Sequence, residues 1–130
     1  MTPKEKILNE LKLYNSDDEL LYDYILSRKR DLTPLPAEDR NPTNKISGCM
    51  SIVHVLVKKT DEGTLLQGFS DSEIISGILG IMCAIIKTDK DPKYKEYEDI
   101  LSEIKLALSQ NRRLGFASII SKIFNWKVLN

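Results

Sequence analysis

The sequence predicts an α+β domain, a small three-stranded antiparallel meander with helices packed against it, occupying residues 1–130 as one unit. Three observations predict this. Helical periodicity fills both ends of the chain, alternating β-branched residues fill only its middle, and 130 residues suit one core with no room for a second.

Thr2-Pro3-Lys4-Glu5 reads as a capping box with proline at the first helical position, and Ile7, Leu8 and Leu11 supply one apolar face behind it. Ser16-Asp17-Asp18-Glu19 repeats the start signal, with acids at the positive end of the helix dipole. Leu20, Leu21, Tyr24 and Ile25 follow at helical spacing, and Arg28-Lys29-Arg30 falls in the last turn, where cations match the negative end. Pro34, Pro36 and Pro42 then break the helix, because proline removes donors and holds the chain extended.

From Asn44 the pattern turns to strand. "NKIS" leads to a bend at Gly48-Cys49, and "SIVHVLVKK" follows with both faces largely apolar, as a central strand requires. "TDEG" is a turn signal and "TLLQGF" the returning hairpin partner. Ser70 and Glu73 form a third capping-box pattern before a helix over roughly 71–87, the most apolar segment of the chain. Gly77 and Gly80 each cost that helix about 1 kcal/mol relative to alanine, so close approach to the sheet is expected in return. A charged connection starts another helix near Pro92, striped by Ile100, Leu101, Ile104 and Leu108. A break at "SQNRRLG" precedes a last amphipathic helix bearing Phe116, Ile119, Ile120, Ile123 and Phe124.

Composition narrows the function classes. Hydrophobic residues make up 42% and charged residues 29%, the proportions of a soluble globular protein. Basic and acidic residues balance at 19 each, and their signs are mixed along the chain, so neither nucleic acid nor an anionic membrane is favoured. A protein or small-molecule partner fits better. The longest apolar stretch, 74–86, falls short of the ~20 residues of a spanning helix. Charges threaded through "MTPKEKILNELK" argue against a secretory signal. A cytoplasmic protein with free thiols is the expectation.

Few residues offer chemistry. Cys83 lies amid apolar neighbours on the expected core helix, where burial disfavours its thiolate. Cys49 follows a glycine, sits between elements, and has Ser51 and backbone donors within reach to hydrogen-bond a thiolate or persulfide. These local features leave a reactive and a merely packed Cys49 both open. His54 is the only histidine, and its odd spacing from Cys49 puts the two on opposite faces of an extended strand. A structural metal site needs about four ligands, more than Cys49, Cys83 and His54 supply without carboxylates. No Gly-rich phosphate loop, nucleophile-elbow serine or clustered-carboxylate motif is present. Asp71 and Glu73 read as helix N-terminal charges. Arg112 and Arg113 sit where the last helix starts, an unfavourable end for cations, so at least one is expected to have a partner or a job elsewhere.

Three blocks of sequence carry a resemblance. "EDRNPTNKISGCMSIVHVLV" (38–57) resembles the signature of SufE-type sulfur-acceptor proteins: Asp-Arg, Pro, Asn, an apolar residue, Gly-Cys, a Ser two after the Cys, and a β-run. "GFSDSEIISGILGIM" (68–82) resembles that family's Ser-Asp motif running into an apolar, glycine-containing helix. "LALSQNRRLGFASIISKI" (106–123) resembles its Leu-Ser/Thr…Arg…Gly block. The blocks follow in order over most of the chain.

The resemblance implies a SufE/IscU-like fold and a part in iron-sulfur cluster assembly. It implies a protein that is not itself an enzyme and carries no cofactor. Such a protein takes persulfide sulfur from a cysteine desulfurase (SufS-like) whose cofactor is PLP, stimulates that desulfurase, and passes the sulfur to a scaffold complex (SufBCD-like). Cys49 matches the acceptor cysteine, Gly48 and Ser51 its flanks, Ser70 and Asp71 the Ser-Asp pair, and Arg112 and Gly115 the C-terminal motif. Met50 and Ile52 stand where family members commonly carry Gln, and His54 where they carry Trp. A loop that alternates between covered and exposed would meet the needs of Cys49, with Arg112 favouring its anionic form. Two other readings are an IscU-like iron-sulfur scaffold, and a non-catalytic adaptor in which Cys49 only packs.

Overall fold

The computed structural model describes residues 1–124. Within them the chain forms α1 (Pro3–Tyr14), α2 (Asp18–Ser27), β1 (Val53–Lys59), β2 (Thr64–Ser70), α3 (Glu73–Ile86), α4 (Tyr94–Lys105) and α5 (Gln110–Phe124). The order of helices, strands, helices makes this an α+β fold. Among the described residues, no helix is long and apolar enough to cross a membrane.

The helix starts follow capping chemistry. The Thr2 hydroxyl accepts from the Glu5 amide at 3.1 Å, with Pro3 at the first helical position. Asp17 Oδ1 accepts from the amides of Glu19 and Leu20 and so opens α2. The basic run lies beyond the last turn of α2, in a 3-10 turn over Arg28–Asp31 where Arg28 pairs with Asp31 at 2.6 Å. The capping box expected at Ser70 and Glu73 is displaced. Ser70 is still in β2, paired with Val53, and Ser72 caps α3 by accepting from the Ile75 amide at 3.4 Å.

α3 is the central helix, buried nearly all round between α2 and the sheet. Its glycines do not approach the sheet as the sequence suggested. A Cβ on Gly77 would overlap the Ile25 carbonyl oxygen, and one on Gly80 would overlap that of Arg28. The close contact is therefore with α2 and the turn after it. On the sheet side the small residue belongs to the strand: a Cβ on Gly68 would meet a Leu79 methyl at 3.0 Å.

The sheet has two strands among the described residues, not the expected three, with antiparallel register from Val53↔Ser70 to Lys59↔Thr64. The third strand is reduced to a bridge. "NKIS" does lie beside β1, where Val55 N donates to Asn44 O and Ile46 N to Val53 O. However, the turn at Asn41–Asn44 and the bend at Gly48 leave it too short to continue the ladder. The outer edge of β2 is covered in the same way by Thr33–Leu35, through two hydrogen bonds to Gly68.

α4 buries Tyr97, Ile100, Leu101 and Ile104, with Leu108 just beyond it. α5 buries Phe116, Ile119, Ile120, Ile123 and Phe124. The break expected at "SQNRRLG" is shorter than predicted. α5 already begins at Gln110, so Arg112 occupies its first turn and Gly115 lies inside the helix. That placement brings Gly115 against the Cys49 loop.

Candidate functional site

Cys49 sits on an excursion of five residues, Ser47–Ser51, that leaves and rejoins the sheet at fixed points. On one side Ile46, 5% exposed, donates its amide to Val53 O at 2.9 Å. On the other, Ile52 N donates to Asp71 Oδ1 at 2.9 Å, and Asp71 N returns a bond to Ile52 O at 3.3 Å. Gly48 turns the chain at φ +83°, a left-handed conformation that glycine adopts without penalty. Among the described residues, no hydrogen bond ties residues 47–51 to the flanking strands or helices. The loop is held at its ends and by packing.

The packing is provided by α5 and the first turn of α3. Cys49, Met50, Ser51, Ile75, Arg112 and Gly115 surround a cavity of ≈ 10 Å³. A Cβ on Gly115 would lie 2.7 Å from Cys49 Sγ, 3.2 Å from its Cα and 3.3 Å from its Cβ. Gly115 is thus the notch that admits the cysteine. One turn along, Ser118 Oγ stands 3.5 Å from where a Cβ of Gly48 would be, so α5 touches both ends of the Gly-Cys pair.

The residues singled out by sequence converge here through different roles. Asp71 anchors the loop rather than serving only as a helix N-terminal charge. Ser70 Oγ accepts from Ser72 N at 3.0 Å, which shapes the turn from β2 into α3. Arg112 Nη1 donates to Ser72 Oγ at 3.0 Å, so the expectation that one arginine of the pair has a distant partner holds for Arg112. Ser72 was missed. It caps α3 and receives Arg112, and its only sequence signal was its place directly before Glu73, masked by the Ser70 capping pattern.

The "DR…N" part of the first block supports the approach to the loop. Arg40 Nε donates to Leu35 O at 3.0 Å, with its guanidinium 3.9 Å over the Phe69 ring. Asn44, 7% exposed, donates its side-chain amide to Asp39 O at 2.7 Å. His54 faces Phe69 across the ladder at a ring separation of 6.5 Å and does not line the Cys49 cleft.

The electrostatics describe a resting thiol. Burial pushes the Cys49 thiol above its ordinary pKa, while Arg112, which lines the same cleft, gives its guanidinium to Ser72. Cys83 is also raised by burial, as expected for a core thiol, and donates to Leu66 O at 3.2 Å on a separate cavity. Among the described residues, no three His, Cys, Asp or Glu side chains gather as a metal site would require.

Exposed apolar residues occur in the same segments: Met50, next to Cys49 in the loop, is 77% exposed, Ile52, where the loop ends, 48%, and Leu114, directly before Gly115 on α5, 71%. Of these, Met50 lines the Cys49 cleft. Leu114 carried no signal in the sequence beyond standing next to Gly115.

Comparison with known proteins bears on the fold and the family. The chain resembles a solved structure from Thermus thermophilus, described as a hypothetical protein, with a TM-score of 0.68 at 14% identity, over 96% of this chain and 94% of that one. At that identity the likeness concerns the fold. The family model for SufE, the Fe-S metabolism associated domain, matches residues 5–125, from α1 to the end of α5. The chain therefore belongs to the SufE family, whose domain is associated with Fe-S metabolism.

Proposed function

We propose that this protein is a sulfur carrier that accepts sulfane sulfur on Cys49 from the persulfide of a PLP-dependent cysteine desulfurase, stimulates that enzyme, and hands the sulfur to an iron-sulfur assembly complex. One observation carries the reading: a half-buried cysteine on a loop hydrogen-bonded only at its ends, its Sγ in a glycine notch and its neighbour Met50 exposed.

The chemistry follows from thiol–persulfide exchange. The Cys49 thiolate attacks the outer sulfur of the donor persulfide, and the S–S bond of the donor breaks. The donor cysteine leaves as thiolate, and Cys49 holds the sulfur as Cys49–S–SH. The proton lost from Cys49 passes to solvent. In the cleft the thiol is held neutral by burial, so the resting protein is a poor nucleophile. Docking of the desulfurase on Met50, Ile52 and Leu114 draws the thiol out of the cleft, removes its desolvation and brings it within reach of the donor. PLP stays with the partner throughout.

Desulfurase turnover tests the proposal. With cysteine as substrate, the wild-type protein raises alanine release above the rate of the desulfurase alone, and Cys49→Ala returns it to that rate. Stimulation undiminished in Cys49→Ala overturns the reading.

A further inference from the structure

We infer that the recess beside the Cys49 loop, walled by Lys45, Ser47, Ser118, Ser121 and Lys122, is the docking point for an acidic segment of the desulfurase that delivers sulfur to Cys49. The inference rests on the proposed sulfur transfer and adds the charge of the surface that the donor presents.

Local geometry gathers these side chains. In the piece of chain bridged to β1, Ile46 turns inward and is 5% exposed, so Lys45 and Ser47 on either side of it point outward. On α5, Ser121 and Lys122 follow Ser118 at three and four residues, so the three share one face of the helix. The two sets meet at an open recess of ≈ 300 Å³, with Ile46 in its wall. Lys122 Nζ donates across to Thr43 O at 3.4 Å, a long contact that leaves the ammonium two further protons.

The composition is that of an anion site. Ammonium and hydroxyl groups are donors, and among the described residues no Asp or Glu lines the recess. Neither lysine joins an ion pair within the described chain. In a chain whose basic and acidic residues balance at 19 each, two cations without an anion are a local excess of positive charge. Position selects the occupant. Ser47 belongs to the Cys49 loop, and Ser118 Oγ stands 3.5 Å from where a Cβ of Gly48 would be. A protein whose persulfide reaches Cys49 covers this ground, and carboxylates beside its donor cysteine meet both lysines. Such pairing steers the approach and fixes the orientation of the two proteins before sulfur is exchanged.

Desulfurase turnover measured against the concentration of this protein tests the inference. At low salt, Lys45→Glu/Lys122→Glu is expected to raise the half-saturating concentration roughly tenfold, with the rate at saturation within about twofold of wild type. The neutral Lys45→Gln/Lys122→Gln variant is expected to raise it about threefold, and added salt to narrow the gap to wild type, because exposed pairs are screened. Lys6→Glu/Lys12→Glu makes the same change of net charge on α1 and is expected to behave as wild type. Half-saturation unchanged in both recess variants overturns the inference, as does an equal rise in the α1 variant. Should the double reversal not fold, the glutamine variant and its salt dependence decide. Unchanged half-saturation with persulfide still forming on Cys49 leaves the proposed function standing. A wild-type protein that stimulates the desulfurase at no concentration removes the proposed function and this inference together.

Discussion

At the scale of the residue, the state of Cys49 is set by two contacts the sequence could name only by resemblance. Gly115 makes room for Sγ, and Asp71 fixes the loop where it rejoins the sheet. Asp71→Ala removes the acceptor of the Ile52 amide and is expected to cost about 1 kcal/mol of global stability or less, because Asp71 is exposed. The same change is expected to speed thiol labelling of Cys49 severalfold. Asp71→Asn keeps a carbonyl oxygen at that place and should stay near wild type; equal labelling in all three proteins would contradict the anchor. The pH dependence has a definite sign. Burial raises the folded-state pKa of Cys49, so the closed loop is favoured fully below the thiol's ordinary pKa and loses that advantage as pH rises toward the folded value. Labelling rate against pH should therefore reach its midpoint above that of a free cysteine, and Asp71→Ala should move it back down.

At the scale of the element, a serine and two glycines decide more than their size suggests. Ser72 both caps α3 and receives Arg112 from α5, so Ser72→Ala removes a cap worth about 1 kcal/mol and frees the arginine that walls the Cys49 cleft. The expected result is a lower urea midpoint together with faster Cys49 labelling; a stability loss with unchanged labelling would show that the Arg112 contact does not brace the cleft. Gly77→Ala and Gly80→Ala set two effects against each other. Helix propensity favours alanine by about 1 kcal/mol. The new methyl groups would overlap the backbone oxygens of Ile25 and Arg28, clashes no side-chain rotation relieves. Overpacking of this kind costs typically about 1–3 kcal/mol or more, so both variants are expected to be destabilised in urea unfolding. The sequence did show that these glycines were there for close approach. It pointed to the wrong partner, the sheet in place of α2 and the turn after it, because the packing order of α2, α3 and the sheet is a long-range property.

At the scale of the whole molecule, what could be read in advance was whatever repeats locally. The stripes of Ile100, Leu101 and Ile104, and of Phe116, Ile119 and Ile123, are periodic, and both helices form where the spacing puts them. The β-run from Val53 and its return through Leu66 are likewise local signals. The third strand failed because pairing needs length as well as pattern, and Pro42 and Gly48 leave "NKIS" room for a bridge only. The site was legible as residues, through the likeness to SufE proteins, but not as a structure: nothing local says that Gly115 meets Cys49 or that Arg112 reaches Ser72. Alkaline stability belongs to this scale too. Burial raises both Tyr24 and Tyr97, with Asp89 beside Tyr97 adding to its shift. Their contribution is present below the ordinary tyrosine pKa and fades as pH climbs above it, so the urea midpoint should fall above pH ~10. A midpoint level through that range would contradict it. The central claim, sulfur acceptance at Cys49, is tested most directly by intact mass after incubation with a cysteine desulfurase and cysteine. The account predicts a gain of one sulfur on the wild-type chain, removed by a thiol reductant and absent from Cys49→Ala. A wild-type chain of unchanged mass, or a sulfur that persists in Cys49→Ala, would contradict it.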